Sequence, residues 1–166
     1  MWDETAHISA EMEKVVEEIV KAAPQSVEVM HAVLDLLESM AASPTSPATS
    51  SSSSNTSALS PPLPAPEAHA RTASFALATL GLLLTHTHKQ SKSPIPPALN
   101  QRLGAVAVRY LQDADSDVRK ADLDFLLVMH EADEAGFWEV LRGTGVKEGS
   151  VNLITYYVAK SRRGKA

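Results

Sequence analysis

The run Leu111-Gln-Asp-Ala-Asp-Ser-Asp-Val-Arg-Lys-Ala121 constrains the fold more than any other stretch of this chain. An apolar pattern of helical period lies on each side of it. One amphipathic helix has to end there, a short acidic turn follows, and a second helix starts at once with Val118 and Arg119. A connector this short favours antiparallel neighbours, so the run predicts a helical hairpin.

The same pattern recurs along the chain and predicts seven helices. The first, over 8–22, puts Ile8, Met12, Val15 and Ile19 on one stripe, widened by Val16 and Val20, and Pro24 ends it. The second, over 25–42, gathers Val27, Met30, Val33, Leu34 and Leu37. The third, over 67–89, has a broad apolar face of Ala73, Ala76, Leu77, Leu80, Leu83 and Leu84. Its nearly uncharged centre predicts burial on several sides. The fourth, over 97–112, opens on Pro97 and aligns Leu99, Leu103, Val106 and Tyr110. The fifth starts after Asp115 or Ser116 as N-cap and turns Val118, Ala121, Phe125, Val128 and Met129 inward, with Leu126 beside them. The sixth, over 134–142, carries Phe137, Trp138 and Leu141 and stops at Gly143 and Gly145. The seventh, over 148–161, uses Val151, Ile154, Tyr157 and Val158.

No alternation of β-branched residues competes with these periods. The expected fold is all-α: one domain over 1–166, an α-solenoid of roughly three and a half antiparallel hairpins, each burying its stripe by stacking on the next. One block interrupts it. Residues 43–66 hold nine serines and six prolines. A block of that composition buries too little apolar surface to offset its ordering entropy, so it reads as a disordered insertion.

Composition bounds the chemistry. With 166 residues, 44% hydrophobic and 21% charged, the chain is long enough for a well-buried core. There is no cysteine, which rules out disulfides, zinc–thiolate sites and thiol nucleophiles. The longest apolar run, 76–84, includes Thr79 and Gly81 and is too short to span a bilayer, so no membrane insertion is expected. The first twenty residues are strongly acidic, unlike a signal peptide. The net charge is −5, and only the tail, 162–166 with Lys160 just before it, is basic. That is a solvated helix end rather than a nucleic-acid face.

Candidate catalytic and metal groups do not assemble. His86 and His88 lie two apart, about 200° around a helix, and cannot share one ion. His7, His31, His69 and His130 are scattered and take no role. Asp113, Asp115 and Asp117 resemble the start of a calcium loop but lack its glycine and distant glutamate, so they read as turn and cap residues. Glu17, Glu18, Asp122 and Asp124 read as solvated faces. Gly143-Thr-Gly145 follows a helix, not a strand, and is too short for a phosphate loop. No enzyme, cofactor or metal is expected. Ser43, Ser46, Ser60 and Ser93 each precede proline in a predicted loop and are candidate phosphorylation sites.

The order of Asp115-Ser-Asp-Val-Arg-Lys-Ala121, the apolar helix ending Val128-Met-His-Glu131, the short helix over 134–142, the turn Arg142-Gly-Thr-Gly145 and the final Val151-Asn-Leu-Ile-Thr-Tyr-Tyr-Val-Ala-Lys160 resembles the C-terminal domain of the CLASP family of microtubule-associated proteins. The resemblance covers 97–163. It implies HEAT-like hairpins with Asp113, Asp115, Val118 and Arg119 as the structural repeat motif. In such hairpins an arginine at the Arg119 position reaches the acidic turn of a neighbouring repeat. The Ser/Pro block departs from the compact repeats usual in the family.

The resemblance implies a non-catalytic targeting module that recruits adaptor proteins at plus ends, kinetochores, the spindle or the cortex and can self-associate as a homodimer. It implies a cytoplasmic, cytoskeletal setting, with the mitotic spindle, the kinetochore and the nucleus as further locations. Tubulin is not expected as a direct partner. Tubulin-binding arrays of this family present tryptophan and several cations on their intra-hairpin loops, and here only Lys147 is basic. Acidic turns would repel acidic tubulin. Two alternatives stay open, a direct tubulin-binding array and a HEAT scaffold unrelated to microtubules. The expected partner surface is Arg142, Lys147, Tyr156, Lys160, Arg162 and Arg163.

Overall fold

A computed structural model describes residues 26–42, 66–91 and 95–164, together with the helical positions Lys14 and Glu18. The rest of the expected first helix, and Ser43, Ser46, Ser60 and Ser93, lie outside the described residues. The segments 26–42, 66–91 and 95–164 form six helices and no strand: α1 Ser26–Ala42, α2 Pro66–Ser91, α3 Pro97–Tyr110, α4 Ser116–Ala132, α5 Glu134–Gly143 and α6 Glu148–Gly164.

The helices alternate between two layers. α1, α3 and α5 form one, and α2, α4 and α6 the other. α1 and α2 make the first hairpin, where the His69 ring reaches the Met40 carbonyl at 3.4 Å. Within the first layer, α3 and α5 run in the same direction, because Asn100 faces Gly136 and Gly104 faces Val140 and Thr144. Alternating hairpins whose like helices stack in parallel are what a solenoid requires.

Among the described residues the apolar stripes read from the sequence form one continuous core, except that Val27, expected on the inward stripe of α1, is exposed. Leu34, Leu37, Leu77, Leu80, Leu83 and Leu103 have no exposed surface. Each such side chain contributes about 1.5–3 kcal/mol through burial. α2 packs more extensively on α4 than any other pair. At 26 residues α2 is the longest helix, and several of its hydroxyls are satisfied locally. Thr72, Thr79, Thr85 and Thr87 each donate to the carbonyl four residues back, which satisfies those hydroxyls inside an almost uncharged helix, while the buried Ser74 hydroxyl has no partner.

The ends of the elements follow their local chemistry. Pro96 and Pro97 open α3 without needing an amide partner. α3 ends at Tyr110, two residues earlier than the spacing predicts, because the amides of Gln112 and Asp113 turn to the carbonyls three residues back. Asp133 stops α4 and caps α5 through the Gly136 amide. Gly145 takes φ of 67° after α5, a conformation that favours glycine. α6 continues to Gly164, so Arg162 and Arg163 are helical rather than part of a loose tail. Cations in a last helical turn are favoured by the partial negative charge there. No helix among the described residues is long and apolar enough to cross a membrane.

Candidate protein-interaction surface

The turn between α3 and α4 is built almost wholly from its own acids. The Asp113 side chain accepts the Asp115 amide at 2.9 Å. The Asp115 side chain accepts the amides of Asp117 and Val118 at 2.7 and 3.3 Å, so Asp115 is the N-cap of α4. Val118 is fully buried beneath it. Arg119 donates through Nη1 to the carbonyls of Asp113 and Ala114 at 2.7 and 2.8 Å. It therefore closes the turn of its own hairpin, where the resemblance placed it on a neighbouring repeat. The turn carbonyls end up six and five residues before Arg119, within easy reach of its side chain.

Asp122 corrects a second expectation. Read as part of a solvated face, it is fully buried, and neither carboxylate oxygen has a hydrogen-bond partner. Burial pushes its carboxyl well above the usual carboxylate range. The signal was in the spacing. Asp122 lies four residues after Val118, three before Phe125 and seven before Met129, which puts it in the middle of the inward stripe.

The six residues expected to bind a partner do not form one patch. Arg142 folds back on its own helix, donating through Nε to the Trp138 carbonyl at 3.2 Å. Lys147 is exposed in the turn before α6. The other four lie on α6, with the cations at its far end, about 20 Å from Lys147 at 1.5 Å per residue. Arg162 leaves the outer face and pairs through Nη2 with Glu134 Oε1 at 2.6 Å. That contact holds the Glu134 carboxyl below its ordinary range.

What remains together is a stripe along α6. Tyr156 is 60% exposed, and Leu153 41% exposed, one turn apart. Lys160 and Arg163 follow on the same face at the spacing i, i+3, i+7 and i+10. The Tyr156 and Tyr157 rings meet edge to face at 5.5 Å, and the Lys160 ammonium lies 5.8 Å from the Tyr157 ring centre. The opposite face of α6 buries Ile154 and Val158. Tyr156 belongs to the expected partner surface and Leu153 does not, although Leu153 lies three residues before it on the same helix face.

Between α4 and α6 lies a groove of about 310 Å³, lined by Leu127, His130, Glu131, Glu134, Val158, Ser161 and Arg162. His130 forms part of it. Its Nε2 has no hydrogen-bond partner and stands 3.8 Å from Glu134 Oε1. The ring packs edge to face on Phe137 and Trp138, at 5.4 and 5.9 Å between centres. Burial lowers its pKa, and Arg162 adds to that while Glu134 and Glu131 oppose it.

Comparison with known proteins adds sequence relatives. No protein-family model and no solved structure matches the chain. Protein STU1 of Phaeosphaeria nodorum is 37% identical over 97% of this chain and 13% of its own length. Protein stu-1 of Neurospora crassa is 29% identical over 44% of this chain and 7% of its own length. The chain is thus similar, along nearly all of its length, to a short segment of a much longer STU1 protein.

Proposed function

We propose that the chain is a non-catalytic protein-interaction module of a CLASP-like microtubule regulator. The observation that carries the reading is the alignment of 97% of the chain with STU1, a CLASP-family protein of fungi. The module recruits an adaptor protein to the cytoskeleton, at the spindle, kinetochore, plus end or cortex. The architecture supports a docking role. Helical hairpins stack into a rigid scaffold with one continuous core, and the outer face of α6 presents apolar and cationic side chains.

Direct binding of tubulin is disfavoured by the same geometry. Asp113 and Asp115 occupy the turn between α3 and α4 and are committed to backbone amides. An edge of that charge repels an acidic partner. The test is size-exclusion chromatography with light scattering, run alone and then with soluble tubulin at low salt. The expected result is separate elution. Co-elution would overturn the adaptor reading in favour of a tubulin-binding array. The mass of the lone protein distinguishes a monomer from a self-associated module.

A further inference from the structure

We infer that the outer face of α6 docks an acidic segment of a partner protein that carries one or two large apolar side chains. The inference deepens the proposed function and rests on it. Its first ground is charge. The chain as a whole carries −5, yet from Gly149 to Gly164 there is no acid, while Lys160, Arg162 and Arg163 are all cationic. Arg162 is committed to Glu134. Among the described residues no ion pair engages Lys160 or Arg163, so their charge is available to a partner.

The second ground is the spacing of apolar surface. Of the large hydrophobic side chains that are exposed among the described residues, two, Leu153 and Tyr156, stand on this stripe. They precede the cations by about two turns, roughly 10 Å. A complementary segment therefore places its apolar side chains against Leu153 and Tyr156 and its carboxylates about 10 Å further along. Tyr156 suits this role, since an aromatic ring offers a large contact at small entropic cost.

The neighbouring groove suits such a segment less well. Its arginine, Arg162, is already paired with Glu134, and Glu131 adds a further acid to its lining. That favours the outer face for the acidic partner. An anionic membrane would also meet cations and an aromatic residue, but the net charge of −5 opposes approach to an extended anionic surface. A short acidic segment touches only the local cationic end.

The test is fluorescence anisotropy with a labelled helical peptide built from glutamate and leucine, against a lysine and leucine peptide of the same spacing. The glutamate peptide is expected to bind, more weakly as salt rises. Lys160→Glu with Arg163→Glu should weaken it roughly tenfold or more, and Tyr156→Ala should weaken it at unchanged salt dependence. All three side chains are exposed or at the rim, so melting curves confirm that the variants fold. Arg71→Glu with Lys120→Glu, away from α6, matches the charge change and should leave binding as it was. The inference is overturned if the glutamate peptide does not bind, if the α6 charge reversal binds it equally, or if the lysine peptide binds as well. Capture of anionic vesicles that survives Tyr156→Ala would overturn it too. Failure here leaves the adaptor reading intact, because tubulin co-elution tests that reading without the peptide.

Discussion

Asp122→Ala is expected to stabilise the protein, and by more as the pH rises. The side chain has no exposed surface and neither oxygen has a hydrogen bond. A polar group buried in that state costs about 1–3 kcal/mol in protein interiors. Alanine also has the higher helix propensity, by about 0.6 kcal/mol. The space left by the carboxyl is small and returns only a fraction of that gain as a cavity cost. The net expectation is about 1–3 kcal/mol in favour of the variant at neutral pH. For a chain of this size that raises Tm by roughly 3–10 °C.

The pH dependence identifies the cause. Burial raises the native pKa of Asp122 above its unfolded value. The unfolded chain therefore loses its proton first. The stability that the neutral acid retains is fully present below about pH 4 and is lost as pH rises through the native pKa. Between those values wild type should lose up to about 1.4 kcal/mol per pH unit relative to Asp122→Ala. Paired thermal or urea melts from acid to mildly alkaline pH give the comparison, with Asp124→Ala at the adjacent exposed position as control. Parallel pH profiles, or a variant less stable than wild type at neutral pH, would refute the reasoning, since either means that the carboxylate has a partner.

Gly104→Ala should destabilise by about 1–3 kcal/mol, against the usual gain from alanine in a helix, because a new Cβ would overlap the Val140 side chain. Urea melts of the Gly104→Ala/Val140→Ala double variant should recover much of that loss, and simple additivity would sink the idea. His130 should titrate below the ordinary histidine range in an NMR titration, chiefly through burial. Since its folded pKa is lowered, the stability it contributes is present above the unfolded pKa and lost as pH falls through the folded one; a normal or raised value would show that the ring is hydrated.

Much of the fold is legible in the residues. Leu77, Leu80, Leu83 and Leu84 at helical spacing predict the buried face of α2, and all four are buried. Asp115 before Val118 predicts a cap, and it caps. These features depend on contacts within a few residues, where period and local hydrogen bonding suffice. The candidate surface is harder to read. Arg142, Lys147 and Arg163 look equivalent as charges in a sequence. Their separation depends on which way α5 and α6 lead their side chains, and a fourth cation, Arg162, is drawn off because Glu134 stands close enough to pair with it.

By itself, the sequence determined the helical class, the element order, the caps and most of the inward stripes, because those follow from local periodicity and backbone chemistry. Only the tertiary structure decided that Asp122 has no polar partner, that Arg119 closes its own turn, and that Arg162 leaves the outer face of α6 to Leu153, Tyr156, Lys160 and Arg163. For Asp122 and Arg162 the outcome turns on how far the group stands from residues on another segment, and for Arg119 on the conformation of its own turn; the energy of such a group changes steeply over a few ångströms.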